Sequence, residues 1–485
     1  MPFADAPRYD LWLDVDPRAA RVAGVQQVRY TNRESAPMRE IVFRLYPNTT
    51  YMGGVMTVTQ VTVDGQDVAL LPLARATAGV TGTITDTSVL SAALPSPLPP
   101  GQARTIVLTY ELTLPMTPTT GYRTFGLSDG VLAMPTAYAV IAPRDESGWR
   151  VDPAPEWGDV AFAESSLYRA RIRAPADQVI VATGVCAPGA PSDEDQSDQR
   201  NPDAGETDAA AGNGSPSQRW QELVCQAGPV REFAVQMSAD FRVARMSLRS
   251  GAEAVLVSSY YRTGEQQGGE RALQYAAGAA KVYDRLIGRY PFKELKVFAS
   301  PVTAGGIEYP MLAGVTAGLY GQQGGYFEWI VAHEVAHQWW YSLVGSDPVN
   351  EAWLDESLVQ YSTSLYVEDR YGPDAARAER ERFFNKRYRD QLGAGGDARV
   401  AQPTAAFDRS AYGPIVYGKG PLFFDAVRQA AGDQRFLAWL RSYFNRSRYG
   451  IARGDDLLRA ADETGIGPAA RQAYQEWMLG TRAAR

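Results

Sequence analysis

From Tyr9 to about Tyr261 apolar and polar residues alternate in short runs: YDLWLDVD, RVAGVQQVRYTN, MREIVFRLYP, VTQVTVDG, RTIVLTYELTL, SLYRARIRAP, QVIVATGV, EFAVQMSADF and AVLVSSYY. A period of two puts alternate side chains on one face, and Gly, Pro, Asn and Asp punctuate the runs, so each predicts a half-buried strand. The expectation for residues 1–262 is an antiparallel β-sandwich or a related large sheet structure. After TGEQQGG the period lengthens. ERALQYAAGAAKVYDRLIGRY reads as a helix stopped by Pro291, KVFASP as a strand, and YFEWIVAHEVAHQWWYSLVG, NEAWLDESLVQYSTSLYVEDRYG, DAARAERERFFNKRYRDQL and KGPLFFDAVRQAAG as helices. RFLAWLRSYFNRS and the stretch ending QEWMLG are helical as well, so 263–485 predicts a mainly α domain with a small strand element ahead of the histidine-bearing helix.

This is an α+β, two-domain pattern, and length agrees: single hydrophobic cores stop growing near ~250–300 residues, and the chain has 485. One stretch fits neither half. Residues 188–218, PGAPSDEDQSDQRNPDAGETDAAAGNGSPSQ, carry no aliphatic side chain larger than Ala and no aromatic one. Such a composition cannot offset the entropy of ordering, which predicts a disordered acidic hairpin tip. The two cysteines, Cys186 and Cys225, end the strand-like runs flanking it. If those runs pair, the sulfurs face each other as a disulfide and indicate an oxidising, extracytoplasmic compartment; two separate buried thiols indicate the cytoplasm.

A net charge of −7 offers no basic face for nucleic acid or an anionic membrane surface. No apolar run approaches the ~18 residues of a membrane helix. MPFADAPRYDLWLDVD lacks the basic and apolar regions of a signal peptide, so the chain is expected to be either cytosolic or a mature exported form. Oligomeric state is not readable from these features.

Both histidines of the chain sit in HEVAHQWW, residues 333–340. On a helix running from about Tyr326 to Gly345, His333 and His337 at i and i+4 project from one face and can share a zinc ion. Glu334 is turned about 100° around the helix, where it reaches a water beside the metal rather than the metal. A catalytic zinc takes a third protein ligand. Leu354, Leu358, Tyr361 and Leu365 mark the buried stripe of the next helix, and Glu356 lies close to it. A buried carboxylate needs a partner, and zinc would be that partner.

HExxH followed by eighteen residues and Glu resembles the signature of the aminopeptidase N family of zinc gluzincins, and HEVAHQWW and WLDESLVQY are similar to that family's flanking patterns. GGIEYP at 305–310 resembles the family's GxMEN exopeptidase motif, with Ile307 for Met and Tyr309 for Asn. VYGKG at 416–420 resembles YxKG. The resemblance implies a thermolysin-like catalytic domain and one zinc ion held by His333, His337 and Glu356. It implies Glu334 as general base and Tyr417 as the oxyanion donor. It places Gly305, Gly306 and Glu308 at the substrate's free amine, and Tyr412 matches a second active-site tyrosine of the leukotriene hydrolase branch.

Two departures stand out. The large C-terminal helical domain of many relatives has no counterpart in this sequence. VLAMPTAYAVIAP, where the family's first-domain Gln or Glu for the substrate amine belongs, has neither an acid nor a glutamine. The implied function is zinc-dependent removal of N-terminal residues from peptides. The alternatives are an endopeptidase or epoxide hydrolase on the same scaffold, or a non-catalytic binding module.

Overall fold

The computed structural model describes residues 3–76, 83–116, 121, 125–153, 156–189, 219–251 and 253–481. The alternating runs form strands as their pattern requires. In Arg8–Asp16, Tyr9, Leu11, Leu13 and Val15 are buried while the residues between them face outward. That strand sits inside an eight-stranded sheet, between Arg21–Thr31 and Ser166–Pro175. It pairs antiparallel with the first and parallel with the second, which interrupts the expected all-antiparallel order. Alternation gives a strand its faces, not its partner. Two four-stranded sheets and a two-stranded ribbon, Arg144–Asp145 with Gly148–Trp149, complete the β-rich half among the described residues.

Val185–Pro188 and Trp220–Val230 close one edge of the large sheet, with Cys186 directly opposite Cys225 and their sulfurs bonded. Most of the acidic tip expected between them lies outside the described residues. The bond closes a loop of sequence separation 39. Chain-entropy reasoning makes it worth up to ~4 kcal/mol. Cys186→Ser should therefore lower the unfolding free energy by that order in denaturant titration, and the same loss should follow reduction of the parent.

The strand Glu253–Arg262 was expected in the first half, and Phe241–Ser250 was not among the runs read as strands. They are hydrogen-bonded instead into a five-stranded sheet with Glu294–Ser300, Leu312–Thr316 and Gly306–Tyr309. The expected break at 262 thus falls after the first two strands of that sheet. The helix Gln266–Leu286 links Glu253–Arg262 to its parallel neighbour Glu294–Ser300. Its Tyr283 hydroxyl donates to Ala332 O (3.0 Å) on the histidine-bearing helix.

That helix, Gly325–Ala336, is shorter than its sequence pattern. His337 caps it with helical dihedrals, and by Tyr341 the backbone has φ +129°. The polar tips of the aromatic run are the reason: each finds a partner in a different direction. Trp339 Nε1 donates to Gly288 O, Trp340 Nε1 to Ser362 Oγ, and the Tyr341 hydroxyl to buried Glu232. The turn that follows is clamped by Arg231 of the β-rich half. Its buried guanidinium donates to the carbonyls of Tyr341 (2.6 Å), Ala163 (3.2 Å) and Leu343 (3.3 Å), and to Gly450 O. Gly345 is required there, since a Cβ would lie 1.9 Å from the guanidinium carbon. With the Arg150–Asp347 ion pair at 2.8 Å, these contacts seat the β-rich half on the helical one. One apolar core runs through both, from Leu11 and Tyr138 to Val297, Val335 and Trp439.

Candidate metal centre and cleft

Four elements meet at the cleft. Gly325–Ala336, with His337 at its end, brings both imidazoles to one side, ring centroids 5.0 Å apart. After a short turn at Ala352–Leu354, the helix Glu356–Tyr371 begins at Glu356 itself, later than the expected start near Asn350. Leu354 belongs to that turn, while Leu358, Tyr361 and Leu365 are buried as expected. The edge strand Gly306–Tyr309 forms a third wall, and the π-helical turn Ile415–Lys419 presents Tyr417 from the fourth. The cleft has a volume of about 400 Å³, and Gly306, Glu308, His333, Glu334, His337, Glu356 and Tyr417 line it.

Glu356 Oε2 lies 3.4 Å from His333 Nε2 and 3.5 Å from His337 Nε2. For ligands about 2.05 Å from a tetrahedral zinc, the ligand-to-ligand distance is about 3.3 Å, so the three atoms are spaced as such a site requires. Glu356 Oε2 is buried and accepts no well-aligned hydrogen bond, which leaves its lone pairs for a cation. Asp355, not singled out from the sequence, completes the arrangement. His337 Nδ1 donates to its Oδ1 at 2.6 Å, which fixes the proton on Nδ1 and turns Nε2 toward the metal position. Asp355→Asn should weaken zinc binding by about 10- to 100-fold, as read by competition with a chromogenic chelator.

Glu334 is buried, and its Oε2 has no hydrogen-bond partner. Burial, reinforced by the charges of Glu356 and Asp355, pushes its carboxyl up to about 8 against the pull of His337. Its side chain lies against Gly306, where a Cβ would come 2.2 Å from Oε1. Any larger residue there would displace the carboxylate, which explains the second glycine of GGIEYP. Gln338 sets the height of that strand: its amide donates to Tyr309 O (3.0 Å) and accepts from Met311 N (2.7 Å). Both bonds are buried, so the strand bearing Glu308 is tied to the residue after His337. Glu308 accordingly reaches within 4.8 Å of His337 and Asp355.

A further carboxylate reaches the cleft from another segment of the β-rich half. Asp159, in the loop between Trp157 and Val160, stands beside Glu356 and faces Glu308. With Glu308 and Glu232 it lines a small cavity of about 40 Å³ beside the cleft. Burial and the neighbouring carboxylates raise both Asp159 and Glu308 well above the usual carboxylate range. Burial also depresses His333, whereas Glu356 is held well below its ordinary value despite burial, by the two histidines beside it. Five carboxyl groups, Asp159, Glu308, Glu334, Asp355 and Glu356, thus surround two imidazoles. Such a site calls for added positive charge.

Tyr417 stacks near His333, ring centroids 6.1 Å apart. Tyr412, expected at the substrate, is buried behind Tyr417 and packs its hydroxyl against Gly158, next to Asp159. Trp339 and Trp340 are fully buried core residues, as their apolar setting predicts.

Two histidines and a glutamate on successive helices are thus set against a strand edge beneath a β-rich half. Residues 319–477 match the model of the Peptidase family M1 domain. The chain is 31% identical over 150 residues to aminopeptidase N of Lactobacillus delbrueckii, a match covering 28% of this chain and 17% of that protein. Aminopeptidase N of Lactococcus lactis is 29% identical over 142 residues, covering 28% and 16%. The matched stretch is thus under a fifth of those relatives' length. Over nearly the whole chain the fold is that of the M1 zinc metallopeptidase from Deinococcus radiodurans, with TM-score 0.66, 20% identity, 98% of this chain and 94% of that one covered. A form of that protein bound to a Tyr-Ser-Ala substrate gives TM-score 0.67, 19% identity, and coverage of 99% and 95%.

Proposed function

We propose that the protein is a zinc-dependent aminopeptidase that removes the first residue of peptides and uses one zinc ion held by His333, His337 and Glu356. The observation that carries this reading is the pair Asp159 and Glu308, a half-buried and a buried carboxylate beside the ligand set. They offer a free α-ammonium the charge-assisted contacts that place the first peptide bond at the metal position. A bound zinc supplies Lewis acidity and a water of lowered pKa. Glu334, whose unpartnered carboxyl lines the cleft beside the ligand set, would be the group that accepts a proton and returns it to the leaving amine. The Tyr417 hydroxyl donates to the oxygen on which charge develops. Similarity to the named aminopeptidases supports the same chemistry. The Cys186–Cys225 bond supports an oxidising, extracytoplasmic compartment. Among the described residues no helix is long and apolar enough to cross a membrane.

The test is the substrate's amine. Glu308→Ala and Asp159→Asn should each lower kcat/KM for peptides with a free N-terminus by about 10- to 100-fold, the range of a lost charge-assisted contact. N-acetylated peptides should be poor substrates of the parent and lose little further. Equal cleavage of acetylated and free peptides by the parent would transfer the site to endopeptidase chemistry.

A further inference from the structure

The cleft has a second pole. Opposite the carboxylates, the segment 381–394 contributes Arg382, Lys386 and Arg387 to its lining. Two of these are occupied: Lys386 pairs with Asp390 at 2.6 Å, and Arg382 lies over the Phe383 ring and 3.7 Å from Glu379. Arg387 differs. It is half-buried and, among the described residues, has no carboxylate partner. Its guanidinium carbon stands 5.4 Å from the centre of the Tyr417 ring. Gly413 makes room for it, since a Cβ at that position would lie 2.8 Å from Nη2.

The contacts give an order along the cleft. Asp159 and Glu308 stand at His337, His333 comes next, Tyr417 stacks by His333, and Arg387 lies over Tyr417. The metal position is therefore bracketed by an acidic end and a basic end. A short peptide has the same polarity, with ammonium at one end and carboxylate at the other. A planar guanidinium suits a carboxylate better than any other side chain, because it donates two parallel hydrogen bonds. A cleft of about 400 Å³ is also toward the small end of the roughly 300–1,000 Å³ usual for ligand sites.

We infer that Arg387 binds the C-terminal carboxylate of the substrate and makes the protein selective for short peptides, those whose chain ends one or two residues beyond the cut bond. This rests on the aminopeptidase reading and adds to it a length limit set from the leaving-group side. Arg387 acts in binding, so its effect belongs in kcat/KM and chiefly in KM.

The experiment compares trialanine with its C-terminal amide on zinc-loaded protein, following release of free alanine. The parent should prefer the acid by about tenfold or more, the range of a charge-assisted contact. Arg387→Gln should bring the ratio of the two kcat/KM values close to one, and Arg387→Lys should recover part of it. Because the readout is a ratio within each protein, a general loss of activity leaves it intact. A parent ratio near one overturns the proposal even where the variants fail to fold, while alanine release from both peptides leaves the aminopeptidase reading standing. Release from neither peptide removes that reading itself. If both rates fall in Arg387→Gln and the ratio holds, Arg387 acts through Tyr417 and the carboxylate anchor is wrong. A third peptide, amidated and with aspartate in its last position, separates sources. Its remaining a poor substrate supports the terminal carboxylate; cleavage as fast as the acid assigns the anchor to acidic side chains instead.

Discussion

Glu334→Gln is expected to bind zinc as the parent does and to turn over at least ~10²-fold more slowly. The amide occupies nearly the volume of the carboxylate, so it fits the close space against Gly306, where even a Cβ would come 2.2 Å from the parent Oε1. It cannot take a proton. The ligand atoms of His333, His337 and Glu356 stay where they are, because Glu334 shares no hydrogen bond with them. Removing a buried, unpartnered carboxyl also relieves a desolvation penalty, so the variant should be at least as stable as the parent to heat. Metal analysis, steady-state turnover and a melting curve on one preparation check all three. Unchanged turnover would place the base on another residue.

His333→Ala should cost more, because it breaks the ligand set itself. Two ligands remain, and a catalytic site of this kind needs three. Zinc content should fall below a tenth of an ion per chain at neutral pH, and peptide hydrolysis should disappear with it. The fold should survive in part, since the core on either side, with Val331, Ala332, Val335 and Trp339, does not depend on the imidazole. Circular dichroism on the metal-free variant separates loss of the ion from loss of structure. Full zinc content in His333→Ala would mean that the ligands are other residues.

The ligand set was legible because its logic is local. A spacing of four on a helix dictates a shared face whatever the rest of the chain does, and the spacing to Glu356 brought the third ligand within one helix–turn–helix. The end of the first helix was not legible. Trp339, Trp340 and Tyr341 continue an apolar pattern that a helix would accept, and only their distant partners Gly288, Ser362 and Glu232 turn the chain aside. The alternation in AVLVSSYY marked a strand, but its membership was not readable: nothing in that run says that it pairs with Glu294–Ser300 rather than with the β-rich half. Asp159 was hidden for the same reason. It stands in a loop without periodicity, and its importance comes from docking against Glu308 and Glu356 of the other half. Asp355 was visible in WLDES, yet its role follows from a hydrogen bond to His337 Nδ1 that spacing alone does not reveal. Arg387 and Gln338 likewise gain meaning only from what lies opposite them.

The most direct test of the central claim is a digest of one pentapeptide in two forms, with a free and an acetylated N-terminus, followed by mass spectrometry on zinc-loaded, chelator-treated and zinc-restored protein. The account predicts that the free form loses its first residue as the initial event, that the acetylated form stays intact, and that chelation abolishes and zinc restores the reaction. Internal cuts, equal loss of both forms, or hydrolysis that persists in the metal-free protein would contradict it.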